Sequence, residues 1–245
     1  MDRIPKLKNY RAFLFDWDGT LFPTTELWDR VLRQYITENG KSPRADFAEL
    51  VDHLQAKHRK ADNYYVTMFG ELCDIYGIAG GGERLCKRSD EIAHGYLRDM
   101  NYIDGADDLL LRLVRARQSR GIVSSAPRRN IDTVMNENEN VRKSADLRAV
   151  FGDKILTAND VPERKPNATP YLMGLKMVGA NIENEKLLIF EDSLNGVTAG
   201  INAKNVHPNI DVCIISDAHS AHDHEQMREM TPLFINSYPE LLQNQ

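Results

Sequence analysis

Asp16 and Asp18 stand two residues apart, directly behind the apolar run Ala12-Phe13-Leu14-Phe15. A second acidic pair, Glu191-Asp192, closes another such run, Leu187-Leu188-Ile189-Phe190. Ser124 follows Gly121-Ile122-Val123 in the same way, and Lys165 lies in the loop Glu163-Arg164-Lys165-Pro166. Short continuous apolar runs that stop at turn residues read as strands buried on both faces. In an open parallel sheet, the side chains that do chemistry sit just past the carboxyl ends of the strands. The spacing therefore predicts four carboxylates, a hydroxyl and an ammonium on one edge of a sheet.

Four ionised carboxylates so close together repel one another by roughly 4 kcal/mol per pair, even at an effective dielectric of about 20. They need a cation. Oxygen donors with no His or Cys among them select Mg²⁺, which keeps some of its waters and takes the rest of its shell from a bound phosphate. Lys165 supplies one more positive charge. Asp16, at the strand end, suits a carboxylate nucleophile that forms an aspartyl-phosphate. Asp18 suits a general acid for the leaving oxygen, and afterwards a base for the hydrolytic water. Gly19 permits a tight turn beneath the phosphate. The turn Ser124-Ser125-Ala126-Pro127 opens into a helix whose free amides and dipole suit an anion.

The elements that must hold these groups alternate along the chain. Further strands are expected over 154–157, 212–215 and 233–235. Between the strands, 107–117 places Leu109, Leu110, Leu113 and Val114 on one helical face. Thr169 is expected to cap a helix with Pro170 at its first position and Gly179 at its end. Residues 23–102 break the alternation and read as four helices, 26–38, 45–57, 63–76 and 83–98, punctuated by Gly40, Gly77 and Gly80-Gly81-Gly82. The expected fold is α/β, with a doubly wound, Rossmann-like parallel-sheet core from 1–22 and 103–245 and a helical domain inserted at 23–102.

Composition is close to that of an ordinary soluble globular protein. The 245 residues are 42% hydrophobic and 27% charged with net charge −5, and this balance lacks the basic footprint of a nucleic-acid binder. No apolar run approaches the roughly 18 residues needed to cross a bilayer. Met1 to Lys8 is polar, and Cys73, Cys86 and Cys213 are too scattered for a disulfide framework. A cytoplasmic location is expected, with no nucleic-acid or membrane partner and a monomeric or homodimeric state.

Asp16-Trp17-Asp18-Gly19-Thr20-Leu21-Phe22, Ser124, Lys165-Pro166 and Phe190-Glu191-Asp192-Ser193 stand in the order of the four motifs of the haloacid dehalogenase superfamily. The chain resembles the phosphoglycolate phosphatase and β-phosphoglucomutase-like branch, whose helical cap follows the first motif. The resemblance implies that Asp16 is the nucleophile and Asp18 the acid/base, with Ser124 and Lys165 holding the phosphate. It implies Mg²⁺ at Asp16, the backbone of Asp18 and Asp192, with Glu191 contributing directly or through water. Gly19, Thr20, Ser125, Ala126, Trp28, Arg59 and Lys60 are expected at the substrate. The family's dehalogenases lack the second aspartate, which its phosphatases and phosphomutases carry, so Asp18 argues against a dehalogenase; the resemblance implies a phosphatase acting on a small phosphate ester such as a sugar phosphate or phosphoglycolate. Trp28 stands where the phosphomutases carry a hinge histidine, which favours hydrolysis over isomerisation. A silent binding relative would be expected to lack a nucleophile or a ligand, and none is missing.

Other clusters have plainer readings. Asp16-x-Asp18-Gly19 is not a calcium loop, because Leu27 stands at the twelfth position, where that loop needs Glu. Asp217, His219, His222, Asp223 and His224 resemble a metal cluster but are expected to form a solvated loop. Arg112, Arg115, Arg117 and Arg120 are expected on the wet face of one helix, and Tyr64, Tyr65, Met68 and Phe69 in the core of the insertion. His58-Arg59-Lys60 is either a substrate grip or a solvated interhelical turn.

Overall fold

The structure is a computed structural model that describes residues 3–24, 26–58, 61, 63–179, 184–217 and 220–245. Six strands form one sheet: β1 (Ala12–Phe15), β2 (Ser119–Val123), β3 (Ile155–Leu156), β4 (Leu187–Glu191), β5 (Ile210–Ile215) and β6 (Leu233–Ile235). Their order is β3-β2-β1-β4-β5-β6, with every pairing parallel. The order reverses beside β1, and the first two acidic residues emerge there. This is the doubly wound core that the strand–helix alternation predicts.

The chain divides into two compact units, Met1–Thr24 with Arg98–Gln245, and Thr25–Leu97. The second is all helical: α1 (Leu27–Glu38), α2 (Phe47–His58), α3 (Tyr64–Tyr76) and α4 (Gly81–Asp99). In the first unit, α5 (Ala106–Arg115), α6 (Arg128–Glu137), α7 (Glu139–Ala145), α8 (Leu147–Phe151), α9 (Thr169–Val178), α10 (Leu194–Val206), α11 (His224–Met230) and α12 (Tyr238–Gln243) connect the strands. Among the described residues no helix is long and apolar enough to cross a membrane.

Alternate residues of β1 serve opposite faces of the sheet, as the two-residue period of a strand requires. Leu14 joins Ile189, Val212, Tyr171, Leu175 and Val197 in the core beneath α9 and α10. Phe15 faces the other way, stacked on Phe190 at 5.1 Å and edge-on to Phe151 of α8 at 6.3 Å. Phe190 in turn meets Tyr238 of α12 at 5.9 Å. All of these side chains are fully or almost fully buried, and each contributes about 1.5–3 kcal/mol by leaving water. The strand that carries Asp16 is thus clamped from both faces.

Some local expectations fail for physical reasons. Thr169 is the first residue of α9 rather than its cap; the cap position is Ala168, and the Thr169 hydroxyl hydrogen-bonds to Asn167 at 2.9 Å. Gly81 and Gly82 belong to α4 instead of interrupting it, because a Cβ on Gly82 would lie 2.7 Å from the Val66 carbonyl carbon and 2.8 Å from the Gly70 nitrogen. Gly82 marks a close helix crossing, not a loop. Arg120 lies in β2, not on the arginine face of α5. Met68 and Phe69 are buried, whereas Tyr65 is 62% exposed.

Candidate active site

Asp16 continues β1 by one residue, its N–H donating to the Phe190 carbonyl at 3.1 Å. Glu191 is the last residue of β4, and Asp192 follows it. Neighbouring parallel strands therefore end in register, and their carboxylates meet. Ligand oxygens of Asp16, Glu191 and Asp192 all lie within 4.8 Å of one another, and all three residues are buried.

Lys165 answers part of this charge. Its ammonium donates to Asp16 Oδ1, to Glu191 Oε1 at 2.6 Å and to the carbonyl of Val123, the last residue of β2, at 2.8 Å. All three of its protons are spent, one on each of the three central strand ends. The side chain is only 5% exposed and lies 4.9 Å from the centre of the Tyr171 ring. The Tyr171 hydroxyl donates to Glu191 Oε1, and the Ser193 hydroxyl donates to Glu191 Oε2 at 3.2 Å. Glu191 is therefore held by three donors, one of them the Lys165 ammonium that also meets Asp16.

The turn after β1 sets the remaining groups. Gly19, at φ +69°, donates its N–H to the Phe22 carbonyl at 2.8 Å. Trp17 and Phe22 pack ring to ring at 4.3 Å beneath the turn, and the Tyr238 hydroxyl donates to the Thr20 carbonyl at 2.9 Å. The turn presents Asp18 with its carboxylate accepting from the Thr24 hydroxyl. Asp18 lies outside the three-carboxylate cluster. The Thr20 hydroxyl donates to Asp192 Oδ1 at 3.2 Å.

Ser124 is buried past the end of β2, its hydroxyl accepting from the Ala126 N–H at 2.9 Å. The Arg128 N–H that opens α6 donates to Asn159 Oδ1 at 2.9 Å. The amides expected to be open to an anion are thus partly engaged, while Ser125 is exposed. Trp28 is half-buried on α1 of the helical unit. Arg59 and Lys60 lie outside the described residues; His58 hydrogen-bonds to Glu71 Oε2 at 2.6 Å.

The described part of the histidine-rich connection is largely helical, where the sequence reading expects a solvated loop. Residues 221–223 form a single 3-10 turn and 224–230 a helix. His222 is exposed, the His224 ring sits edge-on to Phe234 at 5.5 Å, and His219 lies outside the described residues. Asp217, which sequence reasoning placed with these histidines, points instead toward Gly19 and Asp192. Thr24 and Tyr171 were also missed, since their roles rest on the contacts with Asp18 and Glu191.

Burial raises the Asp16 carboxyl to about 8, against the pull of the Lys165 ammonium and with the help of Glu191 and Asp18. Burial also raises Asp18, although the Thr24 hydrogen bond opposes it. Asp192 is driven well above the carboxylate range, first by burial and then by Asp16, Glu191 and Asp217. A set of buried oxygen donors whose charge Lys165 answers only in part fits a divalent cation. A carboxyl raised on folding binds its proton more tightly in the native state, so stability falls as pH rises between the two values. In chelator, the melting temperature is expected to drop between about pH 4 and about pH 8, the window set by Asp16. Added divalent cation should restore it at about pH 8 and change little near pH 4. A flat chelator profile would refute the linkage.

The sequence matches the haloacid dehalogenase-like hydrolases over residues 10–204. The chain belongs to this family. A validoxylamine A 7'-phosphate phosphatase of Streptomyces hygroscopicus subsp. limoneus is 27% identical over 202 residues, covering 79% of this chain and 82% of the relative. A solved structure from Thermotoga maritima, classed as a β-phosphoglucomutase, aligns with TM-score 0.73 at 22% identity, covering 96% of this chain and 97% of its own. A variant of CbbY from Rhodobacter sphaeroides, in complex with xylulose-1,5-bisphosphate, aligns with TM-score 0.66 at 20% identity, covering 94% and 96%. At these identities the two structures attest the fold. This haloacid dehalogenase-like hydrolase is an enzyme, and its buried acidic cluster can hold a metal.

Proposed function

We propose that the chain is a Mg²⁺-dependent phosphatase of a small phosphorylated metabolite, a sugar phosphate or a phosphoglycolate-like ester. The observation that carries this reading is the Lys165 ammonium bonded to Asp16 and Glu191, with Asp192 beside them at one lip of the sheet. Asp16, the backbone of Asp18 and Asp192 would hold the ion. When bound, Mg²⁺ supplies charge neutralisation for the carboxylates and for the phosphate.

Lys165 fixes one oxygen of Asp16 and leaves the other to attack phosphorus. An oxygen–phosphorus bond then forms on Asp16 as the ester oxygen departs, and the departing oxygen takes the proton of Asp18. Burial raises the Asp18 carboxyl, the direction that a general acid requires. In the second step Asp18 takes a proton from water, the water oxygen bonds to phosphorus, and Asp16 is released with inorganic phosphate. Thr24 holds Asp18 in place for both transfers. Ser124, the Ser125 and Ala126 backbone, Gly19 and Thr20 would cradle the phosphate. Trp28, Arg59 and Lys60, in the inserted unit, would contact the rest of the substrate.

A panel of sugar, glycolate and nucleotide phosphates, assayed with Mg²⁺ and with chelator, tests the reading. Phosphate release that chelator abolishes is expected on at least one small ester. Silence across the panel would end the proposal, and an isomerised ester in place of free phosphate would make the enzyme a phosphomutase.

A further inference from the structure

A cleft of about 520 Å³ opens on the sheet edge opposite Asp16, where Arg11, Gln118 and Lys186 lead into β1, β2 and β4. The 3-10 turn Leu7–Asn9, the end of α5 and the 184–186 approach to β4 form its walls. Four cations line it, Lys8, Arg11, Arg112 and Lys186, against the single carboxylate of Glu185. A local charge of +3 thus gathers on a chain whose net charge is −5.

The frame beneath these charges is fixed. Gln118 Nε2 donates to the carbonyls of Leu7 at 3.2 Å and Tyr10 at 2.8 Å, tying two walls together. The Arg11 N–H donates to the Lys186 carbonyl at 2.9 Å, and the Ser119 N–H to the Arg11 carbonyl at 3.2 Å. Leu7 and Tyr10 are buried, so the floor is set while the charged ends face solvent. A site formed in advance loses little order when it binds.

The acids nearby answer the cations only in part. Arg11 meets Glu185 at 3.6 Å, with the arginine side chain 60% exposed. Lys186 reaches Asp211 at 3.4 Å, but that carboxylate also accepts from Lys204 at 2.7 Å and from the Tyr10 hydroxyl at 3.1 Å. Lys8 and Arg112 have no acidic partner among the described residues. Exposed pairs are weak, whereas a phosphate group takes two parallel bonds from a guanidinium and a point charge from an ammonium.

We propose that this cleft binds a small soluble polyphosphate anion, of the di- or triphosphate class, through Arg112 and Lys8. None of its residues stands at the carboxylate lip, so the site is independent of the ester that the enzyme cleaves. Calorimetric titration with tripolyphosphate in chelator tests it, because without a metal the carboxylates of the lip repel an anion. Wild type is expected to bind about one equivalent, less tightly as added salt screens the exposed cations. Arg112→Glu should weaken binding about 10-fold, and Lys8→Glu in addition by about as much again. Both changes lie on exposed side chains, so the melting temperature and the phosphate release without tripolyphosphate should match wild type. A wild type that binds no tripolyphosphate would overturn the proposal. So would equal affinity in the double variant, which would put the anion elsewhere on the protein. Tighter binding to vesicles of anionic phospholipid than to tripolyphosphate would overturn it as well, since the occupant would then be a membrane surface.

Discussion

Asp16→Asn should lower phosphate release by at least about 10⁴-fold, since loss of an enzymatic nucleophile leaves only the contribution of the remaining site. The amide retains the shape of the carboxylate and still offers an oxygen to Lys165, so the constellation is preserved while the attacking charge is lost. The same substitution should stabilise the metal-free protein near pH 8. Wild-type Asp16 resists ionisation up to about 8 because it is buried, and the amide carries no such penalty. An inactive variant that melts higher in chelator than wild type would separate loss of chemistry from loss of fold. Acid quenching of the wild-type reaction with labelled substrate should trap phosphate on the protein, and Asp16→Asn should trap none. Turnover within tenfold of wild type would mean that water attacks phosphorus directly and that Asp16 only holds charge.

The residues that the sequence reveals are those whose signal is local. Asp16, Ser124 and Glu191-Asp192 each follow an uninterrupted apolar run, and a strand buried on both faces has few other ways to be written. The six strands are legible for the same reason. What escapes is contact between residues distant in the chain. Most of the chain separates Asp217 from Gly19, and nothing near either foretells that β5 will deliver one to the other. Tyr171 reads as an ordinary core residue of α9, because its ring is indeed buried; its hydroxyl matters only once Glu191 is known to lie opposite. Thr24 is a lone threonine beyond a turn. Gly82 misleads in the opposite sense: a glycine run usually marks a loop, but here its missing side chain makes room for the backbone of α3.

Lys165→Met should damage activity and stability together, and the reason lies in how its three protons are used. Each ties down a different strand end: Asp16 after β1, Val123 of β2 and Glu191 of β4. The ammonium stays charged despite burial because the two carboxylates outweigh the desolvation, and its titration is held above that of a free lysine. A cation whose folded pKa is raised contributes its full stabilisation below its unfolded value near 10.5 and loses it only as pH climbs beyond, so the whole contribution is present at neutral pH. Removing one partner of a buried ion pair leaves the other charge uncompensated, at a cost of about 3–5 kcal/mol. Here Asp16, Glu191 and the Val123 carbonyl each lose a donor at once, and unfolding in urea at neutral pH should reveal a loss of that order. Catalysis should fall by a further factor of about 10²–10³, as expected when a preorganised charge on the reacting group disappears. Arginine should not rescue it: a planar guanidinium cannot present three protons to three strand ends from the place of one tetrahedral nitrogen. If Lys165→Met kept both its urea midpoint and its rate, Lys165 would not be what holds Asp16 ready to attack.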